Sequence, residues 1–359
     1  MSKQYKILTI NPGSTSTKVA VYQGRKSIFL KNIKHPPKDL QSFKKIADQY
    51  EFRKKIIVDE LIKADIDFHQ IIAVVGRGGL VKPIESGIYE VNEALIRDLK
   101  AGIQGEHASN LGGLIASDIA KELPNARAFI ADPVVVDELS DVARITGHPK
   151  MIRRSIFHAL NQKAVARKYA KVLHKEYEEL NLVVAHMGGG ISVGAHQKGR
   201  VVDVNNALDG FGPFSPERAG TLPSGELVEL CFSGKVTHDE IKKLINGKGG
   251  LMAHFGTNQA HEVLMMAQAG DEKAKIVLEA MAYQTAKAIG ACATVLKGDV
   301  NGIIITGGIA NSKMIVNYIK EMVDFIAPVI IYPGEDEMQA MAENALAVLE
   351  GEIICKHYK

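Results

Sequence analysis

The feature that most constrains this chain is a repeat within it. Residues 7–25, ILTINPGSTSTKVAVYQGR, lie without a gap on residues 182–200, LVVAHMGGGISVGAHQKGR, at a shift of 175 positions. Gly13 falls on Gly188, Ala20 on Ala195, Gly24 on Gly199 and Arg25 on Arg200. Identities are few, but the pattern is shared: apolar strand, bend of small residues, apolar strand, Gly-Arg turn. The shift is close to half of the 359 residues, as expected when two halves share one fold. That length also exceeds one typical hydrophobic core and suits two domains.

Other short apolar runs read as strands: IIAVV (71–75), ARAFIAD (126–132), LVVAH (182–186), GIIIT (302–306) and VIIYP (329–333). Their near-continuous apolar character suits strands covered on both faces of a mixed or parallel sheet. A helix is expected over 155–179, with Ile156, Leu160, Ala164, Tyr169, Val172 and Leu173 on one stripe. The final helix is cleaner, with Met338, Met341, Ala342, Ala345, Leu346 and Leu349 in three-four spacing. Strands alternating with helices make the chain α/β.

A bend of small residues between two strands exposes backbone N–H groups and forms an anion-binding concavity. In the first copy Ser14, Thr15, Ser16 and Thr17 add hydroxyls and Lys18 adds a charge; in the second, Gly188, Gly189 and Gly190 allow the closest backbone approach. Either bend alone is also the shape of an ordinary hairpin turn. Two matched bends facing each other across a cleft could hold opposite ends of a polyphosphate. No GxxxxGK[ST] occurs and no GxGxxG follows a strand, so other phosphate loops are missing. GKGG (247–250) lacks their context. IIITGGIANS (303–312) places a glycine pair between a strand and a helix, where a base or ribose could lie on backbone.

Composition excludes several classes. Lys and Arg number 44 against 41 Asp and Glu, a net +3 that argues for no nucleic-acid surface or acidic tail. The cysteines, Cys231, Cys292 and Cys355, are scattered and form no CxxC pair, which fits a reducing cytoplasm. MSKQYKILTI moves straight into a strand without a signal-peptide core, and no apolar run is long enough to span a membrane. The expectation is a soluble cytoplasmic protein.

INPGSTSTKVAVY, VVGRGG, FIADPVVVDEL, RRSIFHALNQK, VVAHMGGGISVGAH and YPGEDEMQAMAENAL, in this order, resemble the butyrate kinase family. These are short-chain carboxylate kinases similar to the acetate kinases, in a superfamily with sugar kinases, actin and heat-shock chaperone ATPases. The resemblance covers essentially the whole chain. It implies two duplicated actin-like, ribonuclease H-like domains with mixed sheets and ATP in the cleft between them. The expected boundaries are 1–150 and 151–334, with the C-terminal helix 335–359 packing back on the first domain. It implies ATP, Mg²⁺ and a small carboxylic acid as ligands, an acyl phosphate and ADP as products, and a dimer or larger homo-oligomer. Butanoate is the expected acid, with isobutyrate, propionate or acetate as alternatives. A sugar kinase, which needs an aspartate base, and a nucleotide-switched ATPase, which needs a partner-binding appendage, are the rival classes.

By resemblance, Asn11, Ser14 and Ser16 lie at the transferred phosphate and metal. His186, Gly188, Gly189 and Gly190 lie at the second phosphate segment, and Gly307, Gly308 and Asn311 at the nucleotide. Arg77 is implied as ligand of the carboxylate and the planar phosphoryl group, where a guanidinium fork fits. His158 is implied as a neutral donor to an equatorial oxygen, in the first turn of its helix, with His107 near the substrate. A carboxylate is already ionised at neutral pH, so no general base is required, and Asp132 would help order Mg²⁺ instead. Glu337 is the preferred metal-linked acid in PGEDEM, with Asp336 as fallback. Phe157 and Pro213 match the acyl pocket. One departure stands out: GFGPFSPERAGTLPSGE (210–226) has Leu222 where acetate kinases carry a second arginine. Arg218 is the nearest replacement, with Arg153 and Arg154 as further candidates.

Overall fold

In the computed structural model, which describes residues 5–359, the chain forms two units. One runs from the N-terminus to Val136 and is completed by Asp336–Lys359; the other is Asp137–Glu335. The first contains β1 (Lys6–Pro12), β2 (Ser16–Gln23), β3 (Lys26–Lys34), β4 (Ile71–Arg77), β5 (Ile88–Glu90) and β6 (Arg127–Ala131). Their order is β3-β2-β1-β4-β6-β5, an antiparallel meander extended by the parallel strands β4 and β6 and closed by antiparallel β5.

The second unit contains β7 (Asn181–Met187), β8 (Ile191–Gln197), β9 (Arg200–Val204), β10 (Gly302–Gly307) and β11 (Val329–Pro333). Their order, β11-β10-β7-β8-β9, is again a meander extended by two parallel strands. The repeat seen in the sequence is therefore a repeat of sheet topology, with β7 in the place of β1.

Shifted by 175, β1 lands on the bounds of β7 and the start of β2 on the start of β8. The gap-free match nonetheless slips at the bend. Pro12 faces Thr17, whereas Met187 faces Ile191, so the second bend holds one residue fewer. The next turn is Gly24-Arg25 in the first copy and Lys198-Gly199 in the second. Arg25 is consequently a turn residue, while Arg200 opens β9.

Every residue of β7 is buried, and alternation sends its side chains to two different cores. Leu182 and Val184 join the cluster of the helix Ala159–Val172; Val183 and Ala185 join that of Glu272–Val295. The expected helix over 155–179 is shorter at both ends, running from Ala159 to Val172. His158 stands just before it, and His174, with φ 53°, turns the chain left-handed after it. Val172 and Leu173 are exposed; Leu160, Val165, Ala166, Tyr169 and Ala170 form the buried face.

Residues just after Val136 belong with the second unit rather than the first, so the chain divides earlier than the expected 150. Glu138 accepts hydrogen bonds from Lys163 Nζ and Val201 N, both at 2.8 Å, and Ser140 N donates to Val202 O. The helix Glu337–Glu350 buries Met338, Met341, Ala342, Ala345 and Leu346 and packs on β1 and β4. Among the described residues no helix is long and apolar enough to cross a membrane.

Candidate active site

The first bend, Gly13–Ser16, rests on an arginine that the sequence reading did not single out. Arg53, on the helix Tyr50–Lys63, is 1% exposed. It donates to Gly13 O at 2.7 Å, Ser14 O at 3.1 Å and Ser16 O at 3.2 Å, and to Gln49 and Thr17 side-chain oxygens. The bend's carbonyls are thus drawn inward onto a cation, while Ser14 and Thr15 stay exposed. These acceptors are neutral oxygens, so the positive charge beneath the bend is not cancelled by them. Burial pushes the Arg53 guanidinium down to about 10, still protonated at neutral pH. His35, hydrogen bonded to Thr17 Oγ1 through Nε2, is pushed down to about 4 by burial and by the Arg53 charge.

Asn11 and Arg77 sit near the ends of the neighbouring parallel strands β1 and β4 and share one carboxylate. Asn11 Nδ2 donates to Glu337 Oε2 at 2.7 Å, and Arg77 Nη2 lies 3.1 Å from Glu337 Oε1. Arg77 Nη1 closes the triangle on Asn11 Oδ1 at 3.4 Å. Glycine lets Arg77 reach this place: a Cβ on Gly76 would lie 2.1 Å from backbone atoms of Gly112, where the helix Asn110–Lys121 presses on β4. Asp132, 2% exposed and at φ 36°, accepts from Ser86 Oγ at 2.6 Å and Gly87 N at 2.8 Å. Its Oδ1 therefore holds a loop. His107 Nδ1 takes the amide of Ser109 at 3.2 Å and lies 2.8 Å from that residue's hydroxyl.

In the second unit the bend Gly188–Gly190 is closed by Gly188 N donating to Gly190 O and gripped by Ser215 Oγ, which donates to Gly189 O at 2.7 Å. A Cβ on Gly190 would fall 1.7 Å from Arg218 Nη1, so side-chain loss here makes room for a guanidinium. Arg218 is tied by Nη1 to Ala207 O at 2.7 Å. Arg153 instead pairs with Asp203 and donates to Val204 O, which places it in the sheet's support and not among solvated charges. Gly307 exchanges backbone hydrogen bonds with Gly334, and a single 3₁₀ turn, Gly308–Asn311, precedes the helix Lys313–Val323. Gly188, Gly189, Gly308, Asn311 and Glu335 line one cleft of about 660 Å³.

That cleft has a wall the sequence reading missed. His261, Leu264 and Gln268, at helical spacing on Ala260–Gln268, line it together with Asn258. The three-four spacing of a mixed polar and apolar face was the available signal. Behind Glu335 of that lining, His186, fully buried, has Nδ1 2.8 Å from Asn161 Oδ1 and Nε2 3.3 Å from Glu335 Oε1. The ring of His158 stacks on it, with centroids 3.9 Å apart and planes at 14°. Phe157 and Pro213 are both buried.

The Acetokinase family model matches residues 142–342. Butyrate kinase 2 of Clostridium acetobutylicum is 57% identical over 99% of this chain and 100% of its own length. Butyrate kinase 1 of the same organism is 56% identical over the same shares. In fold, the chain is similar to the acetate kinase of Porphyromonas gingivalis, with TM-score 0.77, 19% identity and coverage of 96% of this chain and 100% of that one. A propionate kinase from Francisella tularensis gives TM-score 0.75 at 20% identity, covering 95% and 98%. The duplicated mixed sheets are thus those of the actin-like ATPase fold. With its family model matched over more than half its length and its relatives aligned end to end, the chain belongs to the acetokinase family.

Proposed function

We propose that this chain transfers the γ-phosphoryl group of MgATP directly and reversibly to the carboxylate of butanoate, giving butanoyl phosphate and ADP. The observation that carries the reading is Arg77, a guanidinium fork fixed at a strand end by Glu337 and Asn11. The family supports a carboxylate acceptor, and the two relatives named butyrate kinase support butanoate.

The chemistry follows from charge. An ionised carboxylate must approach an anionic phosphorus, so positioning and positive charge matter more than proton transfer. Arg77 pairs with the acid and the planar phosphoryl group. The first bend, with the Arg53 charge beneath it, offers Ser14 and Ser16 to phosphoryl oxygens. His158 donates to an equatorial oxygen, and His107 stands by the acid. Gly188–Gly190 and His186 take the ATP phosphates, with Arg218 beside them as replacement for the second arginine. Gly307, Gly308 and Asn311 receive the nucleoside. Phe157 and Pro213 contribute the apolar pocket.

Among the described residues no three His, Cys, Asp or Glu side chains are gathered that could hold a metal alone. Asn11, Asp132 and Glu337 do supply hard oxygen donors of the kind that Mg²⁺ accepts while it stays on ATP and keeps several waters. Mg²⁺ bound there would offset charge on the phosphates.

Release of ADP across a panel of acceptors tests the reading. It is expected only with short carboxylic acids, with butanoate giving the highest kcat/KM. ADP formed with a polyol and not with butanoate would overturn it.

A further inference from the structure

A line of buried polar groups runs from Tyr177 to His158 inside the second unit. Tyr177 OH lies 2.7 Å from His196 Nδ1, and His196 Nε2 lies 3.0 Å from Gln162 Oε1. Gln162 Nε2 donates to Ser192 O at 3.0 Å and to Ser192 Oγ at 2.8 Å, and Ser192 Oγ lies 2.8 Å from His158 Nδ1. Gln162, Ser192 and His196 are fully buried. The line passes over Gly194, where a Cβ would fall 2.7 Å from Gln162 Oε1.

The direction of every proton in this line can be deduced. A backbone carbonyl only accepts, so the Gln162 group facing Ser192 O is its NH₂ and its oxygen faces His196. His196 Nε2 must then carry the hydrogen. Burial and the nearby Lys163 and Arg167 charges hold His196 well below the usual histidine range, so it is neutral and Nδ1 accepts from Tyr177. At the other end, Ser192 Oγ accepts from Gln162 and from His158 N at 3.4 Å, which fills its lone pairs. Its single hydrogen goes to His158 Nδ1.

We propose that Tyr177, His196, Gln162 and Ser192 are positioning residues that fix His158 as the Nε2–H tautomer, the form able to donate to a phosphoryl oxygen. This rests on the kinase reading above for its consequence, though not for its geometry. Ser192 and Gln162 act through His158 and touch no reacting atom. The stacked His186 ring fixes the plane of His158, and the serine fixes which nitrogen carries the proton.

Two readouts on the full chain test it. Nitrogen-15 spectra of labelled histidine, assigned with a His158→Asn variant, are expected to show His158 protonated at Nε2 and accepting at Nδ1. In Ser192→Ala the Nδ1 acceptor signature is expected to shift, and kcat to fall about tenfold with KM for ATP changed less than about twofold. Gln162→Glu offers no donor, so Ser192 would donate to it and leave His158 Nδ1 to donate in turn. Its kcat is expected to fall further than that of Gln162→Met. A wild-type His158 protonated at Nδ1 would overturn the proposal even if no variant folds. So would wild-type kcat in folded Ser192→Ala. A wild type with the expected tautomer that forms no acyl phosphate would instead remove the kinase reading and the consequence drawn from it.

Discussion

Glu337 and Arg77 meet at 3.1 Å although far apart in sequence, and Asn11, near the other end of the chain, bridges them. The C-terminal helix therefore contributes to the candidate site by its first residue, whose buried carboxylate holds the Arg77 guanidinium. Arg77→Ala is expected to keep the fold and lower kcat/KM about a thousandfold, because an aimed cation at developing charge is worth several kcal/mol. Glu337→Gln is expected to lose about tenfold or more, since the fork is no longer held by charge. Steady-state kinetics with circular dichroism as fold control decides both, and near-normal rates in Arg77→Ala would remove its role.

Arg53 makes a second prediction. Arg53→Met would leave Gly13, Ser14 and Ser16 carbonyls without their donor. Urea unfolding is expected to show a loss of about 3 kcal/mol or more, as for other buried donors to several acceptors. Activity is expected to fall with it, and added guanidinium ion to recover part of that loss. Unchanged stability would contradict the bend's dependence on this residue.

His35 gives the stability an acid limb. Its pKa lies near 6.5 unfolded and is pushed down to about 4 folded, so the unfolded state binds more protons between these values. Stability contributed by the neutral ring is complete above pH 6.5 and is lost as pH falls toward 4. Between pH 7 and pH 5 this group alone is expected to remove about 2 kcal/mol. Urea midpoints for wild type and His35→Asn should converge as pH falls, and parallel midpoints would contradict the assignment.

Gly190→Ala is expected to displace Arg218, because the new Cβ would overlap Nη1. Affinity for ATP, measured by calorimetry, should fall at least tenfold. Gly290→Ala, on the helix Glu272–Val295 with nothing within 4 Å of the added carbon, should bind ATP as the wild type does and gain about 1 kcal/mol of stability. Equal affinity in the two variants would contradict a binding role for the bend.

Local periodicity made part of this molecule legible in advance. The strands at 71–75, 182–186, 302–306 and 329–333 follow from continuous apolar runs, the stripe of Glu337–Glu350 from three-four spacing, and the 175-residue shift from the shared strand-bend-strand pattern. The slip of one residue at the second bend was not legible, since small residues leave no pattern to register. The helix before β7 was overextended because Val172 and Leu173 continue a stripe that His174 breaks by backbone conformation alone. Arg53, in a run of charged residues on Tyr50–Lys63, reads as a solvated face and is the opposite. Arg77 was singled out through the resemblance carried by VVGRGG and not by periodicity.

The central step proposed for this chain is the attack of an ionised acid on the terminal phosphorus of ATP. Incubation of the purified protein with ATP, Mg²⁺, butanoate and hydroxylamine measures this directly, since an acyl phosphate is trapped as a coloured hydroxamate. Hydroxamate is expected in proportion to ADP, requiring all three reactants and reduced in Arg77→Ala. ADP released without hydroxamate, from folded protein, would contradict it.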